Sequence, residues 1–332
     1  MGAVQFGIIA CSSIARRRFL PALKLAAGAQ LARIGSRDPA KAARFAQEFG
    51  CPRHGTYEAV LADPEIQAVY ISTPPALHAE WVLRAAAAGK HVLCEKPAFR
   101  DRAEALRAVN ACRAAGVRLM EGYVPKYHPQ HARVRAMVAE GRIGAPRFFE
   151  AEFTCPRPAG ADDIRFQPEL LGGVFHDSAG YPVAAARLQL PGVPVAVNCL
   201  QSRDAATGVD DACAIMLQFS GGEIANLYAG FGVQYRSRYA IAGVSGRIEL
   251  ERAFAVAPDL KPVLTWETNA GIERIVLEPA DQFRLMIEDF AAQIGGGAPP
   301  KNYEADLLRM QAIMDAAAQS ARERRTVEIK NL

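Results

Sequence analysis

The stretch FGIIACSSIARRRFLPALK (residues 6–24) decides what kind of fold this chain builds. An apolar run leads through a few small residues into a segment that carries Ile14, Leu20 and Leu23 at helical spacing. A strand turned sharply into a helix is the corner where phosphate loops sit, and their fingerprint is G-x-G-x-x-G. Here the three glycine places hold Ala10, Ser12 and Ala15. Ser12 and Ala15 are small enough to let the backbone approach a pyrophosphate and the helix pack on its strand. Ala10 carries a Cβ at the tight turn, so the stretch alone fits an ordinary strand-to-helix corner equally well.

The flanking sequence narrows the choice. Apolar runs VQFGIIA, AQLARIGS, AVYIST, HVLCEKP and VRLMEGY alternate with helical segments through residue 121. In DPAKAARFAQEFG, Asp38 is a helix cap, Pro39 suits the first turn and Gly50 suits the stop. Continuous aliphatic strands alternating with helices specify a parallel sheet covered on both faces, a doubly wound α/β (Rossmann) domain with ligands at the carboxyl ends of its strands. Beyond a helix near 129–140 the chain turns strand-rich, with RFFEAEFTC, AVNCLQSRD, DACAIMLQF, EIANLYAGF, SRYAIAG, GRIELE and RIVLEP following one another. That succession predicts an α+β domain with an open, mainly antiparallel sheet. The expected domains are 1–121 for cofactor binding and 122–332 for substrate binding and oligomerisation.

Composition excludes several classes. The 332 residues are 50% hydrophobic and 22% charged, enough for two ordinary globular domains. A net charge of +4 without a concentrated basic face argues against a nucleic-acid partner. Seven scattered cysteines form no C-x-x-C pair and no Cys/His cluster, so no metal site is expected, and reduced thiols in the cytoplasm are. No signal peptide is read at the N-terminus, and no apolar run approaches the ~18 residues of a membrane helix.

Three clusters carry candidate chemistry. Ser36-Arg37 ends the second strand, where an NAD site would present a carboxylate; a hydroxyl and a guanidinium suit a 2′-phosphate, favouring NADP(H) over NAD(H). Lys96, in CEKP, ends the fourth strand at the same edge, where it either caps the strand or stabilises an alkoxide. In GGVFHDSAGYP, Asp177 and Tyr181 lie four apart and can share a helical face, with Tyr181 as a proton donor. His176 is a competing acid/base but alternates away from Asp177, as a buried structural histidine would. EGYVPKYHPQH adds Glu121, Tyr123, Lys126, Tyr127 and His128, each able to bond a polyhydroxylated ligand or to serve structure alone.

Taken together and in this order, GIIACSSIARRRFLPAL, SRDPAKAARFAQEFG, VYISTPPALHAEWVLRAAAAGKHVLCEKP, EGYVPKYHPQH and GGVFHDSAGYP closely resemble the glucose–fructose oxidoreductase/inositol dehydrogenase (Gfo/Idh/MocA) family. The resemblance implies a Rossmann domain followed by an open-sheet domain that forms homodimers or homotetramers. It implies cofactor contacts from Ala10, Cys11, Ser12, Ser13, Ile14, Ser36, Arg37, Thr73, Pro74, His78, Glu95 and Lys96. Lys96, Asp177 and Tyr181 would be catalytic, and Tyr123, Lys126, Arg165, Asp177 and Tyr181 would face a sugar substrate. Tyr181, HPQH and DIRFQ (163–167) resemble the nucleotide-sugar 3-ketoreductases, which use NADPH. The resemblance also extends to dehydrogenases of free sugars, cyclic polyols and dihydrodiols. A ligand sensor that kept the fold and lost turnover is the non-enzymatic alternative, and the alanine at residue 10 is its support.

Overall fold

The computed structural model describes residues 2–157 and 163–330. Its first sheet is parallel throughout and is built from β1 (Val4–Ile9), β2 (Ala29–Gly35), β3 (His54–Gly55), β4 (Ala68–Ile71), β5 (His91–Cys94) and β6 (Leu119–Glu121), in the order β3-β2-β1-β4-β5-β6. The order reverses between β1 and β4, the topological switch point at which doubly wound sheets bind ligands. Helices α1 (Leu20–Leu25), α2 (Pro39–Phe49), α3 (Tyr57–Leu61), α4 (His78–Ala87) and α5 (Arg102–Ala114) make the crossovers. As expected, the Asp38 side chain accepts from the N–H groups of Ala40 and Lys41, and Gly50 closes α2 at φ +66°. The short β3 and α3 were not legible as separate elements. Val60 of α3 lies so close to β1 that a Cβ on Gly7 would strike its side chain, so only glycine lets this helix reach the sheet.

The second sheet follows α6 (Pro129–Ala139). It comprises β7 (Pro146–Cys155), β8 (Pro194–Arg203), β9 (Asp210–Phe219), β10 (Ile224–Phe231), β11 (Arg236–Gly243), β12 (Gly246–Glu251), β13 (Val263–Thr268), β14 (Gly271–Val276) and β15 (Val327–Glu328). The order is β14-β13-β12-β11-β7-β10-β9-β8-β15, antiparallel except for the β7–β10 pair. Helix α7 (Gly180–Gln189) packs against β7, β10 and β11. Alternation sets the faces: Cys213, Ile215, Leu217 and Phe219 of β9 point inward and are buried. Beneath the sheet, the Tyr239 hydroxyl lies 3.0 Å from both His131 Nδ1 and Gln189 Nε2, tying three buried polar side chains together.

The chain forms two compact units, and they do not follow a single cut after residue 121. The first holds residues up to Val124 together with Phe283–Leu308; the second holds Pro125–Gln282 and everything from Arg309. The return segment carries α8 (Gln282–Ile294), whose Met286, Ile287 and Phe290 are fully buried, and the start of α9 (Tyr303–Glu323). Phe290 meets Phe6 of β1 at 6.4 Å between ring centroids. An apolar helix face without a partner in the local sequence has no reason to respect a boundary drawn from strand patterns.

Candidate active site

The phosphate-loop candidate is built as its small residues allow. Ser12 donates its hydroxyl to Ser72 Oγ at 2.8 Å and accepts from Ala15 N at 3.1 Å, which caps the helix start. Ser72 in turn donates to the Ala10 carbonyl at 3.2 Å, tying this loop to the end of β4. Ser13 and Ile14 open the helix, where first-turn N–H groups have no intrahelical acceptor and the helix dipole favours an anion. A π-helical turn at Ala15–Phe19 runs on into α1. Ala10 occupies the first glycine place at φ +85°, in the left-handed region that an L side chain resists. The turn is therefore the one glycine would make, held by a residue that adopts it under strain.

At the end of β2, Ser36 is buried and accepts from Asp38 N at 3.1 Å, while Arg37 is exposed. Arg37 stands beside Tyr57, whose phenol is pushed up by burial against the pull of the Arg37 charge. Burial also raises the Cys11 thiol to about 11, although Lys41 and Arg44 on α2 act on it in the opposite sense. They lie four and seven residues after Arg37.

The loops after β4 and β5 are stitched by His78. Its ring is 1% exposed, with Nε2 2.8 Å from the Thr73 carbonyl and Nδ1 2.9 Å from that of Pro97. Burial pulls its pKa down to about 4. In this expected cofactor contact both ring nitrogens face backbone carbonyls. Thr73 Oγ1 is buried and has no hydrogen-bond partner among the described residues. Glu95 is buried, receives Tyr70 Oη at 2.7 Å on Oε1, and receives Lys96 N at 3.3 Å on Oε2. Lys96 itself is half-buried, and its bond to Pro97 is cis. Tyr123, at the close of the first unit, is buried.

In the second unit a π-helical turn, Phe175–Ala179, carries Asp177 and runs into α7, which carries Tyr181; both side chains are half-buried. Arg165 Nε bonds Asp177 Oδ2 at 3.1 Å while its Nη1 pairs with Asp163 Oδ2 at 3.0 Å. Burial opposes the Arg165 charge, yet Asp177 and Asp163 together raise its pKa above the ordinary value. Tyr181 packs edge-on against Phe153 at 5.0 Å. His176 is half-buried like Asp177, its ring set edgewise to Phe175 at 5.3 Å. Lys126 holds its ammonium 5.6 Å from the Tyr127 ring centroid, and His128 is buried as a cap for Gln130 N.

Asp210, unremarked in the sequence, accepts from Phe175 N at 2.5 Å and so anchors the start of this helical segment. Gly173 has φ +104°, and a Cβ there would overlap the Asp210 carboxylate. The second glycine of GGVFHDSAGYP thus leaves room for a carboxylate that the motif itself does not contain.

The chain as a whole has counterparts. Residues 4–123 match the GFO/IDH/MocA model, oxidoreductase family, NAD-binding Rossmann fold, and residues 131–249 match the GFO/IDH/MocA C-terminal domain. A dTDP-3,4-didehydro-2,6-dideoxy-alpha-D-glucose 3-reductase of Saccharopolyspora spinosa is 37% identical, the match covering 96% of this chain and 98% of that protein. A D-xylose 1-dehydrogenase (NADP(+)) of Haloferax volcanii is 35% identical over 98% of this chain and 100% of its own. The crystal structure of KijD10, a 3-ketoreductase from Actinomadura kijaniata in complex with NADP and TDP-benzene, superposes with a TM-score of 0.92 at 36% identity, covering 96% of this chain and 98% of that one. Carbonyl-to-hydroxyl chemistry on sugars runs through these relatives. The chain belongs to the GFO/IDH/MocA oxidoreductase family.

Proposed function

We propose that the protein is an NADPH-dependent reductase of a ketone on a nucleotide-linked sugar. The observation that carries this reading is the chain-long similarity to a ketoreductase solved with NADP and a TDP ligand. The residues present fit the coenzyme. The start of the Ser13 helix suits a pyrophosphate, Ser36 and Arg37 suit a 2′-phosphate, and the buried Thr73 hydroxyl, without a partner among the described residues, suits a ligand polar group.

Bound NADPH supplies the hydride. Lys96 places its ammonium against the carbonyl oxygen and stabilises the negative charge that develops there. Tyr181 delivers its phenolic proton to that oxygen. Asp177, bridged to Arg165, orients the sugar hydroxyls, with Lys126 and Tyr123 as further substrate contacts. Lys96→Ala is expected to lower kcat by about a hundredfold, the scale for losing a group that transfers or stabilises the proton. Near-wild-type turnover in that variant removes the mechanism.

The xylose dehydrogenase among the relatives favours a second reading, oxidation of a free sugar by the same residues in reverse. Competition between a dTDP-ketosugar and free aldoses, read as the ratio of kcat/KM values, separates the two. We further assign a homodimer or homotetramer formed through the second sheet. Its outward face exposes Leu200, Met216, Ile224 and Phe148 beside a ladder in which Arg238 pairs with Glu150, Glu152 and Glu249. Light scattering on the purified protein tests this. A cytoplasmic address suits its seven free thiols. Among the described residues no helix is long and apolar enough to cross a membrane.

A further inference from the structure

Tyr70, on β4, is fully buried, yet it is a phenol in a strand where a phenylalanine would fill the same space. Its ring lies flat on Phe19, with centroids 3.6 Å apart and planes 3° from parallel. Phe19 closes the π-helical turn that follows the phosphate-loop candidate. From this fixed ring the hydroxyl donates to Glu95 Oε1 at 2.7 Å, and Glu95 Oε2 accepts from the backbone N–H of Lys96 at 3.3 Å. One rigid ring therefore links the helix after the first loop to the backbone that carries the candidate lysine.

We infer that Tyr70 is a positioning residue: its hydroxyl aims the Glu95 carboxylate, and through it sets the turn on which Lys96 stands. A hydrogen bond to an ionised acceptor is about twice as strong as a neutral one, and it strengthens further away from water. A stacked ring cannot swing its hydroxyl to follow a wandering carboxylate, so the carboxylate must settle where the phenol is. With Oε1 held, Oε2 is directed at Lys96 N. This inference rests on the reading of Glu95 and Lys96 as groups that meet coenzyme and substrate.

The test is a double-mutant cycle on the full chain with NADPH and a dTDP-ketosugar. Turnover is counted per NADPH-binding site by fluorescence titration, so that loss of folded protein cannot imitate loss of positioning. Tyr70→Phe, which keeps the stack, is expected to lower kcat/KM about tenfold, the scale of one charge-assisted hydrogen bond. Adding it to Glu95→Gln is expected to change kcat/KM by less than twofold, because the two act in series. Wild-type kinetics in Tyr70→Phe, or losses that multiply in the double variant, would overturn the inference. Should Tyr70→Phe not fold, Phe19→Leu, which removes the stack and leaves the phenol and Glu95 in place, decides: a several-fold loss of kcat/KM supports the linkage and unchanged kinetics overturns it. Failure of the wild-type protein to bind NADPH removes the underlying reading as well, and the titration registers that separately.

Discussion

At the scale of single residues, Ala10 shows how a fingerprint persists after its glycine is gone. The backbone keeps φ +85°, so the loop's shape is dictated by its surroundings, and the alanine carries the conformational cost. Left-handed backbone costs a residue with a Cβ about 1–2 kcal/mol, and glycine gives back about 0.5–1 kcal/mol through its freer unfolded chain. Ala10→Gly is therefore expected to stabilise the protein by about 0.5–1 kcal/mol, visible as a melting temperature higher by about 2 °C. A lower melting temperature would mean that the loop does not strain this alanine. Ser12 and Ala15 were readable as adequate substitutes because size alone decides those places. Tyr70 was not readable, since a tyrosine in an apolar strand looks like packing until its hydroxyl is found on Glu95.

At the scale of elements, the helical segment bearing Asp177 and Tyr181 depends on a residue more than thirty positions later. Asp210 receives Phe175 N–H in a buried setting, where burial raises its own pKa. Asp210→Ala leaves that N–H without an acceptor, which costs about 1–3 kcal/mol, and shifts the two side chains the segment presents. The expected result is a clear loss of kcat together with a lower denaturant midpoint. Asp210→Asn keeps an acceptor oxygen and is expected to recover most of both; equal damage from the two substitutions would count against the anchoring role. Sequence patterns gave the parallel first sheet because its strands are apolar without interruption, and gave α2 because Asp38 and Gly50 are local signals. They could not give Asp210, whose partner is remote in sequence.

At the scale of the whole molecule, buried histidines set the response to acid. His78 and His131 are each 1% exposed, and burial pulls their pKa values to about 4 and about 3. Both are depressed in the folded state, so the unfolded chain binds their protons first and stability falls as pH drops below the ordinary histidine value near 6.5. By pH 5 the cost is about 2 kcal/mol for each. Urea unfolding at pH 7 and pH 5 checks this: the midpoint is expected to fall, and a flat or rising one would show that these rings carry charge when folded.

The return of Phe283–Leu308 to the first unit has a consequence for synthesis. When residue 124 leaves the ribosome, β1 still lacks Phe290, and Ala27 N still lacks the Glu288 carboxylate that it meets at 3.0 Å. The roughly 160 residues that intervene take about 8–30 s to translate at ~5–20 residues/s. For that interval the nascent nucleotide fold waits, open along the side that α8 will close. A released fragment ending at residue 124 should accordingly stay loosely packed and bind NADPH far more weakly than the full chain. A fragment as tight as the intact protein would show that the late helix only decorates a domain already finished.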